Sequence, residues 1–427
     1  MREINLELIP LYDSPLGVVA MLMVYLFIAF GVSTSRLRPA LKWLLWGGLA
    51  ARVVGVLLRD GIKADAIRYY KLAGSHALHF AQFDFSPFWD STQWWGGRDW
   101  MGSNIIPYPA GFIMVFLGQN IMAVFFAYAL IAFVGLLCYV RAFENSLPRA
   151  SSTGYMAWIC LFPSLWFWPS SIGKEALMTF GLGVATLAYL RYDGRTRWAL
   201  LVAGLSVVFV IRPQVVAVFA MAMVLSTFLD FKRWTPLRIL QGAALLGIGF
   251  AMMWYSLRFA VEMDGVGTVE DYVATNANNS TQGGSEVGAA SMSPVGVFVS
   301  ILNVLFRPFL WEAHNVTAAF AAIEVSMMWG IIFVRRRQIA AMFRVWRNHL
   351  ALRFAIPFTA LYVIALGMNL GNLGIIARQR VLVFPLFFLI VEAGTMAVAA
   401  ETRRRSAIPP APPRFPMRGA GTRPVPT

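Results

Sequence analysis

The chain has 427 residues, of which 58% are hydrophobic and only 13% are charged. Soluble globular domains carry about 25% charged residues, so this composition excludes an ordinary soluble domain. The formal net charge of +15 would suit nucleic acid in a soluble protein, but Lys and Arg also mark the cytoplasmic loops of membrane proteins, and we predict no nucleic-acid partner. Cys138 and Cys160 both lie in apolar segments, so they provide neither a disulfide framework nor a metal-ligand spacing.

Apolar segments of about 15 to 22 residues recur along the chain, close to the length with which an α-helix crosses about 30 Å of hydrocarbon. We therefore predict an all-α, polytopic membrane bundle of about 11 transmembrane helices. The predicted spans are 15–32, 41–58, 119–140, 155–169, 173–190, 198–211, 214–229, 238–256, 316–334, 354–371 and 381–399. The N-terminus is acidic where a cleavable signal would be basic, so the first span is predicted to be retained.

The distribution of charge predicts an orientation. If loop 33–42 is cytoplasmic, the alternation of spans places most Lys and Arg inside and most Asp and Glu outside. The N-terminus is then outside, and the long connections 59–118 and 257–315 are extracytoplasmic, where loops on a helical scaffold usually carry chemistry. Residues 1–400 are predicted to form a membrane-embedded catalytic bundle, and the Arg- and Pro-rich segment 401–427 a disordered cytoplasmic tail.

The most informative stretch covers residues 52–74, where an apolar span ends and carboxylates follow at once. Asp60 and Asp65 would lie at the outer end of this span. Because Asp65 and Tyr69 are four residues apart, a helix continuing beyond the membrane would present carboxylate and phenol on one face. The carboxylate and the phenol can then contact the same substrate.

This stretch resembles the integral-membrane glycosyltransferases of the GT-C superfamily, in which an Arg in the first core helix precedes an acidic residue, a Tyr four residues later and an Ala four residues after that. The matching residues are Arg52, Asp65, Tyr69 and Ala73. The segment 106–111, with its Pro-Tyr-Pro, is similar to a helix entrance frequent in that family. The family usually has two adjacent acidic residues or an acidic-x-acidic triplet, whereas alanines flank Asp65 here, so Asp60 stays open as the catalytic residue.

The resemblance implies a GT-C-like fold with extracytoplasmic interfacial helices, in the inner membrane of a bacterium. It also implies transfer of a sugar from a polyprenyl-phosphate or polyprenyl-diphosphate donor to a glycan or lipid acceptor, in the synthesis of cell-surface polysaccharide or glycolipid. Such a reaction needs a carboxylate that takes the acceptor proton and cations that stabilise the leaving phosphate. We predict Asp65 as the base, with Asp60 as the second candidate. No cofactor is required, and outer carboxylates leave room for a divalent metal that no ligand spacing demands.

Several segments on the predicted outer side supply substrate-binding candidates. Lys174 follows a tight turn and begins a predicted helix whose free N–H groups suit a phosphate, although a lysine that snorkels to lipid headgroups has the same pattern. Arg212 lies between two short spans and either faces a cavity or sits at headgroup level. The segment 306–315 gathers Arg307, Glu312 and His314 among aromatic residues. It suits a sugar ring, with His314 and Glu312 orienting the acceptor, or it is an interfacial aromatic belt with an Arg–Glu pair.

Arg378 and Arg380 lie in a segment predicted to be extracytoplasmic, although Lys and Arg usually prefer the cytoplasmic side. A phosphate held by guanidinium forks explains them, and so would anionic lipid headgroups. Deeper in the spans, Arg52, Glu324 and Glu392 are expected to form an Arg–Glu pair that only holds the bundle together. The complete set of predicted substrate-binding residues is Tyr69, Lys174, Arg212, Arg307, Glu312, His314, Arg378 and Arg380.

Two other functions stay open. An O-antigen or exopolysaccharide polymerase or ligase also joins lipid-diphosphate-linked glycans outside the cell, and segments 307–315 and 369–380 suit it as well. A transporter or flippase of a lipid-linked precursor would show an internal repeat and interrupted helices. We find no repeat in the sequence, and Arg52 in mid-membrane is the best support for this function.

Overall fold

A computed structural model describes most of the chain and is all-helical apart from one isolated β-bridge between Tyr12 and Asn120. The described residues are 9–62, 65–89, 102–147, 152–191, 193–229, parts of 235–251, 294–313, 315–369 and 373–407. Among them, seven helices are long and apolar enough to cross a membrane. These segments are Leu16–Thr34, Pro39–Asp60, Ile121–Glu144, Gly194–Ile211, Val316–Val334, Leu350–Gly367 and Phe384–Arg403.

The helices are numbered in chain order through the described residues. They are α1 (Leu16–Thr34), α2 (Pro39–Asp60), α3 (Asp65–Phe80), α4 (Pro107–Leu117), α5 (Ile121–Ser146), α6 (Ser152–Leu161), α7 (Pro163–Phe167), α8 (Lys174–Arg191), α9 (Gly194–Ile211), α10 (Pro213–Phe228), α11 (Pro294–Phe306), α12 (Val316–Val334), α13 (Arg336–Val345), α14 (Leu350–Asn369), α15 (Leu373–Arg380) and α16 (Phe384–Ala407).

The expectation of about 11 spans is therefore supported only in part. The predicted span 155–169 is divided into α6 and α7, because Pro163 has no N–H to continue the helix and holds Phe162 in an extended conformation. The residues predicted as spans 173–190 and 214–229 form the helices α8 and α10, which are not among the seven segments named above. The predicted span 238–256 falls largely outside the described residues.

Glycines bring the central helices α5, α8 and α9 close together. A Cβ atom on Gly183 of α8 would collide with the backbone carbonyl of Gly135 on α5. A Cβ atom on Gly181 would lie 2.7 Å from the carbonyl oxygen of Gly204 on α9. Because real Cβ atoms do not approach backbone that closely, the spacing of these helices depends on the missing side chains.

Helices α3 and α4 pack together in the predicted outer loop 59–118, where interfacial helices were expected. The buried side of α3 includes Ala66, Tyr70 and Ala73, which recur at helical spacing. The N-terminal segment crosses this region: the Tyr70 hydroxyl donates to the Pro10 carbonyl at 3.1 Å, and the Tyr12 hydroxyl donates to Asp60 at 2.8 Å. The N-terminal segment thereby ties α3 to the end of α2.

The expected Arg–Glu pair at Arg52 is wrong. Arg52 donates to the carbonyls of Gly48 at 2.8 Å and Cys160 at 3.1 Å, and its guanidinium carbon lies 4.0 Å from the centre of the Phe133 ring. Glu392 accepts instead from the Trp158 indole at 2.9 Å. Carbonyl dipoles and an aromatic face take the place of the carboxylate, because the nearest helix neighbours present those groups at this depth.

The predicted tail is helical at its start. Helix α16 continues past residue 400 to Ala407, so the boundary of the membrane-embedded part predicted at 400 falls inside a helix. Residues 408–427 lie outside the described residues.

Candidate functional site

Several helix ends meet at one end of the bundle, and each brings a charged residue. Helix α2 ends next to Arg59, α3 begins with Asp65, α8 begins with Lys174 and Glu175, α9 and α10 meet at Arg212, and Arg378 lies near the end of α15. We call this group the mouth cluster; its members are Arg59, Asp65, Lys174, Glu175, Arg212 and Arg378.

Arg378 is the centre of the mouth cluster because it contacts both carboxylates. Its Nε lies 3.2 Å from Glu175 Oε1, and its Nη2 lies 3.5 Å from Glu175 Oε2. Its Nη1 lies 3.2 Å from Asp65 Oδ2. Glu175 is buried, whereas the Asp65 side chain is 65% exposed. The guanidinium fork therefore belongs to Glu175, and the remaining donor reaches a carboxylate that faces solvent.

Electrostatics couple these groups. Glu175 and Asp65 raise the pKa of the Arg378 guanidinium against the opposite effect of burial. Burial alone would raise the pKa of Glu175, but Arg378, Arg212 and Arg59 hold it below its ordinary value. Glu175 is therefore ionised at neutral pH, and it fixes Arg378 by charge as well as by hydrogen bonds.

Arg59 is a buried cation whose hydrogen bonds go to a neutral partner. It is 5% exposed, and its Nε and Nη2 donate to the Ser171 hydroxyl at 3.2 and 3.0 Å. Its guanidinium carbon lies 5.5 and 5.7 Å from the ring centres of Phe167 and Trp168. Aromatic faces and a hydroxyl stabilise this charge but do not neutralise it.

Lys174 adds a further cation at the first residue of α8, outside the seven long apolar segments. Burial lowers the pKa of its amine to about 7, and the neighbouring Arg212 lowers the pKa in the same direction. Within the described part of the mouth cluster, four cations thus face two carboxylates. Positive charge is in excess by two when Lys174 is protonated.

A cavity of about 240 Å³ opens beside this cluster. Its lining includes Arg59, Arg378 and Trp168, and also Glu312 and Asn315 from the segment before α12. Residues of α12 and α15, together with Ile62 and Pro308, complete the lining. The cavity combines cations, hydrogen-bonding groups and an aromatic face, which together can hold an anionic or sugar-bearing headgroup.

The structure brings together Asp65, Tyr69, Lys174, Arg212 and Arg378 among the predicted site residues. Tyr69 follows Asp65 by one turn of α3 and interacts electrostatically with Asp65, Glu175 and Arg378. Burial raises the pKa of its phenol, and a hydrogen bond with the Ser103 side chain acts in the opposite direction. The spacing of four residues therefore places the phenol near the carboxylate.

Arg307 and Glu312 form a closed ion pair instead of two free groups. Arg307 Nη2 lies 2.6 Å from Glu312 Oε1, and Arg307 Nε lies 2.9 Å from the same oxygen. The Phe309 amide also donates to Glu312 at 2.9 Å. Glu312 lines the cavity, so the pair forms part of its rim. His314, predicted to orient the acceptor, lies outside the described residues.

Two predicted residues contact partners that are not members of the mouth cluster. Asp60 accepts hydrogen bonds from Tyr12 at 2.8 and 3.1 Å. Arg380 is buried, donates to the Val304 carbonyl at 3.2 Å and interacts with Glu324. Because Arg378 and Arg380 are two residues apart on helix α15, their side chains leave it on nearly opposite sides. They do not form one guanidinium clamp.

Three residues of this site were not predicted from the sequence: Arg59, Trp168 and Glu175. Arg59 is a basic residue at the predicted outer end of a span, where basic residues are unusual. The same unusual position identified Arg378, so Arg59 could have been predicted. Glu175 could not be recognised as a site residue, because the helix dipole alone explains an acidic residue in the first turn of a helix. Nothing in the sequence distinguishes Trp168 from the other interfacial tryptophans.

Among the described residues, no three His, Cys, Asp or Glu side chains are grouped to hold a metal ion. No protein-family model, curated protein or solved structure matches the chain. The described structure defines an all-helical protein with several helices suited to a membrane and a charged cavity at one end of the bundle.

Proposed function

We propose that the protein is a membrane glycosyltransferase that moves a sugar from a polyprenyl-linked donor to a glycan or lipid acceptor. The observation that carries the proposal is the exposed Asp65 carboxylate in contact with Arg378, beside a cavity with excess positive charge. An ion pair with a purely structural role would not explain the excess of cations over carboxylates in the mouth cluster or the cavity beside it. The resemblance of residues 52–73 to GT-C enzymes supports the same function.

In the proposed reaction, a hydroxyl of the acceptor attacks the anomeric carbon of the donor sugar while Asp65 takes the hydroxyl proton. The bond between the anomeric carbon and the phosphate oxygen breaks, and its electron pair stays on the leaving phosphate. Arg378, Lys174 and Arg212 stabilise that negative charge. Glu175 holds Arg378 in place, so the cation does not have to be ordered during the reaction.

The charge distribution supports a site on the extracytoplasmic face, with the N-terminus outside, in the inner membrane of a bacterium. Helices α2 and α8 point one end toward the mouth cluster and the other toward segments rich in arginine. These arginines are Arg36, Arg38, Arg191, Arg195 and Arg197. Since short basic loops stay cytoplasmic, the mouth cluster would face the opposite side.

The test is product analysis with purified protein and lipid-linked sugar donors. Asp65→Asn is expected to reduce sugar transfer by about 10²- to 10⁴-fold, the usual contribution of a general base. Asp60→Asn is the matched control and is expected to keep most of the activity, because Asp60 is engaged by Tyr12. Full turnover in Asp65→Asn with loss in Asp60→Asn would reverse the assignment. Full turnover in both would refute the mechanism.

A polymerase or ligase of lipid-diphosphate-linked glycans is the second candidate, since the surplus of positive charge suits a diphosphate carrier as well. The same product analysis separates the two functions. A transferase adds one sugar to the acceptor, whereas a polymerase or ligase produces a ladder of lengths or transfers an entire oligosaccharide.

A further inference from the structure

Helix α13 lies at the end of α12 that is far from the mouth cluster. The first residues of α12, Thr317 and Ala318, line the cavity. The helix then runs to Val334, about 27 Å further on at a rise of 1.5 Å per residue. Helix α13 begins two residues later, at Arg336. It is therefore separate from the candidate site, on the side that the charge distribution predicts to be cytoplasmic.

One face of α13 is packed against α16. Ala341 and Met342 are buried, and a Cβ atom on Gly394 of α16 would collide with the backbone carbonyl of Gln338. Near the other end of α13, Arg344 Nη1 lies 2.8 Å from Glu401 Oε2. These contacts fix which face of α13 is turned away from the bundle.

The opposite face of α13 combines cations with an aromatic residue. Arg336, Ala340, Phe343 and Arg344 follow one another at helical spacing, and all four are exposed, as is Arg337. The Phe343 side chain is 59% exposed between arginines. Such a face suits the boundary of a membrane, where an aromatic ring reaches the acyl chains and guanidinium groups reach the headgroups. We call these five residues the α13 face.

The apolar surface of α12 continues directly into the α13 face. Phe333 and Val334 end a helix that has the length and composition of a membrane span, and both are exposed. The guanidinium carbon of Arg336 lies 4.7 Å from the centre of the Phe333 ring, and Arg336 Nη1 donates to the Phe333 carbonyl at 2.9 Å. The apolar surface thus gives way to arginine within one helical turn, as it does where acyl chains meet lipid headgroups.

The end of α16 adds to the positive charge beside α13. The segments 335–347 and 401–405 contain eight arginines and one acidic residue, Glu401. The contact between Arg344 and Glu401 places the two segments next to each other, and Arg403 is exposed as well. Because like charges repel, a negatively charged surface in contact with these segments would stabilise the arrangement.

We propose that the α13 face, together with the adjoining end of α16, binds anionic phospholipid headgroups at the membrane surface. Guanidinium groups match the geometry of phosphate, and each arginine near an anionic bilayer surface adds to the affinity. A general preference of basic residues for cytoplasmic loops would explain the arginines, but not the exposed Phe343 among them. The inference goes beyond the proposed function and does not depend on sugar transfer.

The experiment uses native mass spectrometry of the full chain in a non-ionic detergent. It measures the affinities of phosphatidylglycerol and phosphatidylcholine with the same acyl chains. The unchanged protein is expected to bind phosphatidylglycerol at least about tenfold more tightly, since an arginine near the surface contributes about fivefold. A triple variant, Arg336→Gln, Arg337→Gln and Arg344→Gln, should lose this preference. The corresponding triple change to Lys should keep part of it, because the charge is retained.

The matched control removes three exposed arginines from other segments of the same predicted side. Its changes are Arg36→Gln, Arg38→Gln and Arg195→Gln. It should keep the preference for phosphatidylglycerol. An equal loss in both triple variants would overturn the proposal, because general basicity would then be sufficient. A preference that survives in the α13 variant would also overturn it.

Further outcomes decide the remaining alternatives. Equal affinity of the unchanged protein for the two lipids would refute the proposal. If the triple Gln variant does not fold, Phe343→Ser with all arginines intact should weaken phosphatidylglycerol several-fold, and unchanged affinity would refute a face that enters the bilayer. If hexaglutamate displaces phosphatidylglycerol at equal concentration, the partner is an acidic protein segment instead. Absence of sugar transfer would refute the proposed function and leave this inference standing.

Discussion

Two arginines on the same helix show how the interior of the bundle differs from its mouth. Arg52 and Arg59 lie seven residues apart on α2, hence on the same side, and both are buried. Arg52 is held by two backbone carbonyls and lies over the Phe133 ring. Arg59 has a hydroxyl partner and borders an open cavity. Burial alone therefore does not mark a site; space beside the charge does.

The comparison also separates two kinds of packing. Around Arg52, Gly48 meets Cys160 and Phe133 at about 3.1 Å from where its Cβ would be, so the helices leave no room for a ligand. Arg59 lies one residue before the end of α2 and lines the cavity, next to residues of the segment before α12 and the start of α15. Substitutions that overpack the interior should accordingly lower stability, and substitutions in the mouth cluster should change binding.

The largest expected effect of an interior change is at Gly183. Gly183→Ala would force α8 away from the Gly135 backbone on α5, and overpacking of this kind typically costs about 1–3 kcal/mol. We expect a clear fall in the thermal unfolding temperature in detergent. Gly31→Ala on α1 is the matched control, because a Cβ there meets no atom within 4 Å. An unchanged unfolding temperature for Gly183→Ala would contradict the close packing.

A smaller effect, confined to binding, is expected from Lys174. Its pKa of about 7 means that the amine is charged below neutral pH and loses its charge as the pH rises through 7. Affinity for a lipid-linked sugar donor should therefore weaken between pH 6 and pH 8, by up to about tenfold per pH unit. The groups that face Lys174 are Arg212, Glu175, Arg378 and Asp65.

Lys174→Met provides the comparison for this pH dependence. The ratio of affinities of the two proteins removes the ionisation of the ligand itself, which both share. That ratio should fall toward one at high pH, where the lysine is neutral, and the thermal unfolding temperature should change little. A ratio that is constant from pH 6 to pH 8 would show that Lys174 does not titrate in this range.

The smallest effect is expected at Arg52. Arg52→Met removes a buried charge, which relieves a desolvation penalty, and two hydrogen bonds, which costs stability. Because the two effects oppose each other, the free energy of unfolding should change by no more than about 1 kcal/mol. Affinity for a lipid-linked sugar donor should not change, whereas Arg59→Gln, which removes a cation from the lining of the cavity, should weaken donor binding. If Arg52→Met weakens donor binding as much as Arg59→Gln does, the interior and the mouth cluster do not differ in function. A transport path through the bundle then becomes the better interpretation.

Helix positions were largely predictable from the sequence because they follow from apolar length and from proline. The span expected at 41–58 is α2 at Pro39–Asp60, and the span expected at 316–334 is α12 at Val316–Val334. The segment joining the last two spans was expected only as a connection, but it contains helix α15. That helix separates Arg378 from Arg380, which a loop could have brought together.

The sequence by itself determined an all-helical chain with apolar helices, and it selected Asp65, Tyr69, Lys174 and Arg378 as site candidates, because apolar runs and misplaced charges are local signals. Only the tertiary structure decided that Arg378 lies between Asp65 and Glu175, residues more than 200 positions away. The contact between such distant residues depends on how α3, α8 and α15 are placed by packing, and helix packing depends on side-chain shape along whole interfaces. No short stretch of sequence contains that information.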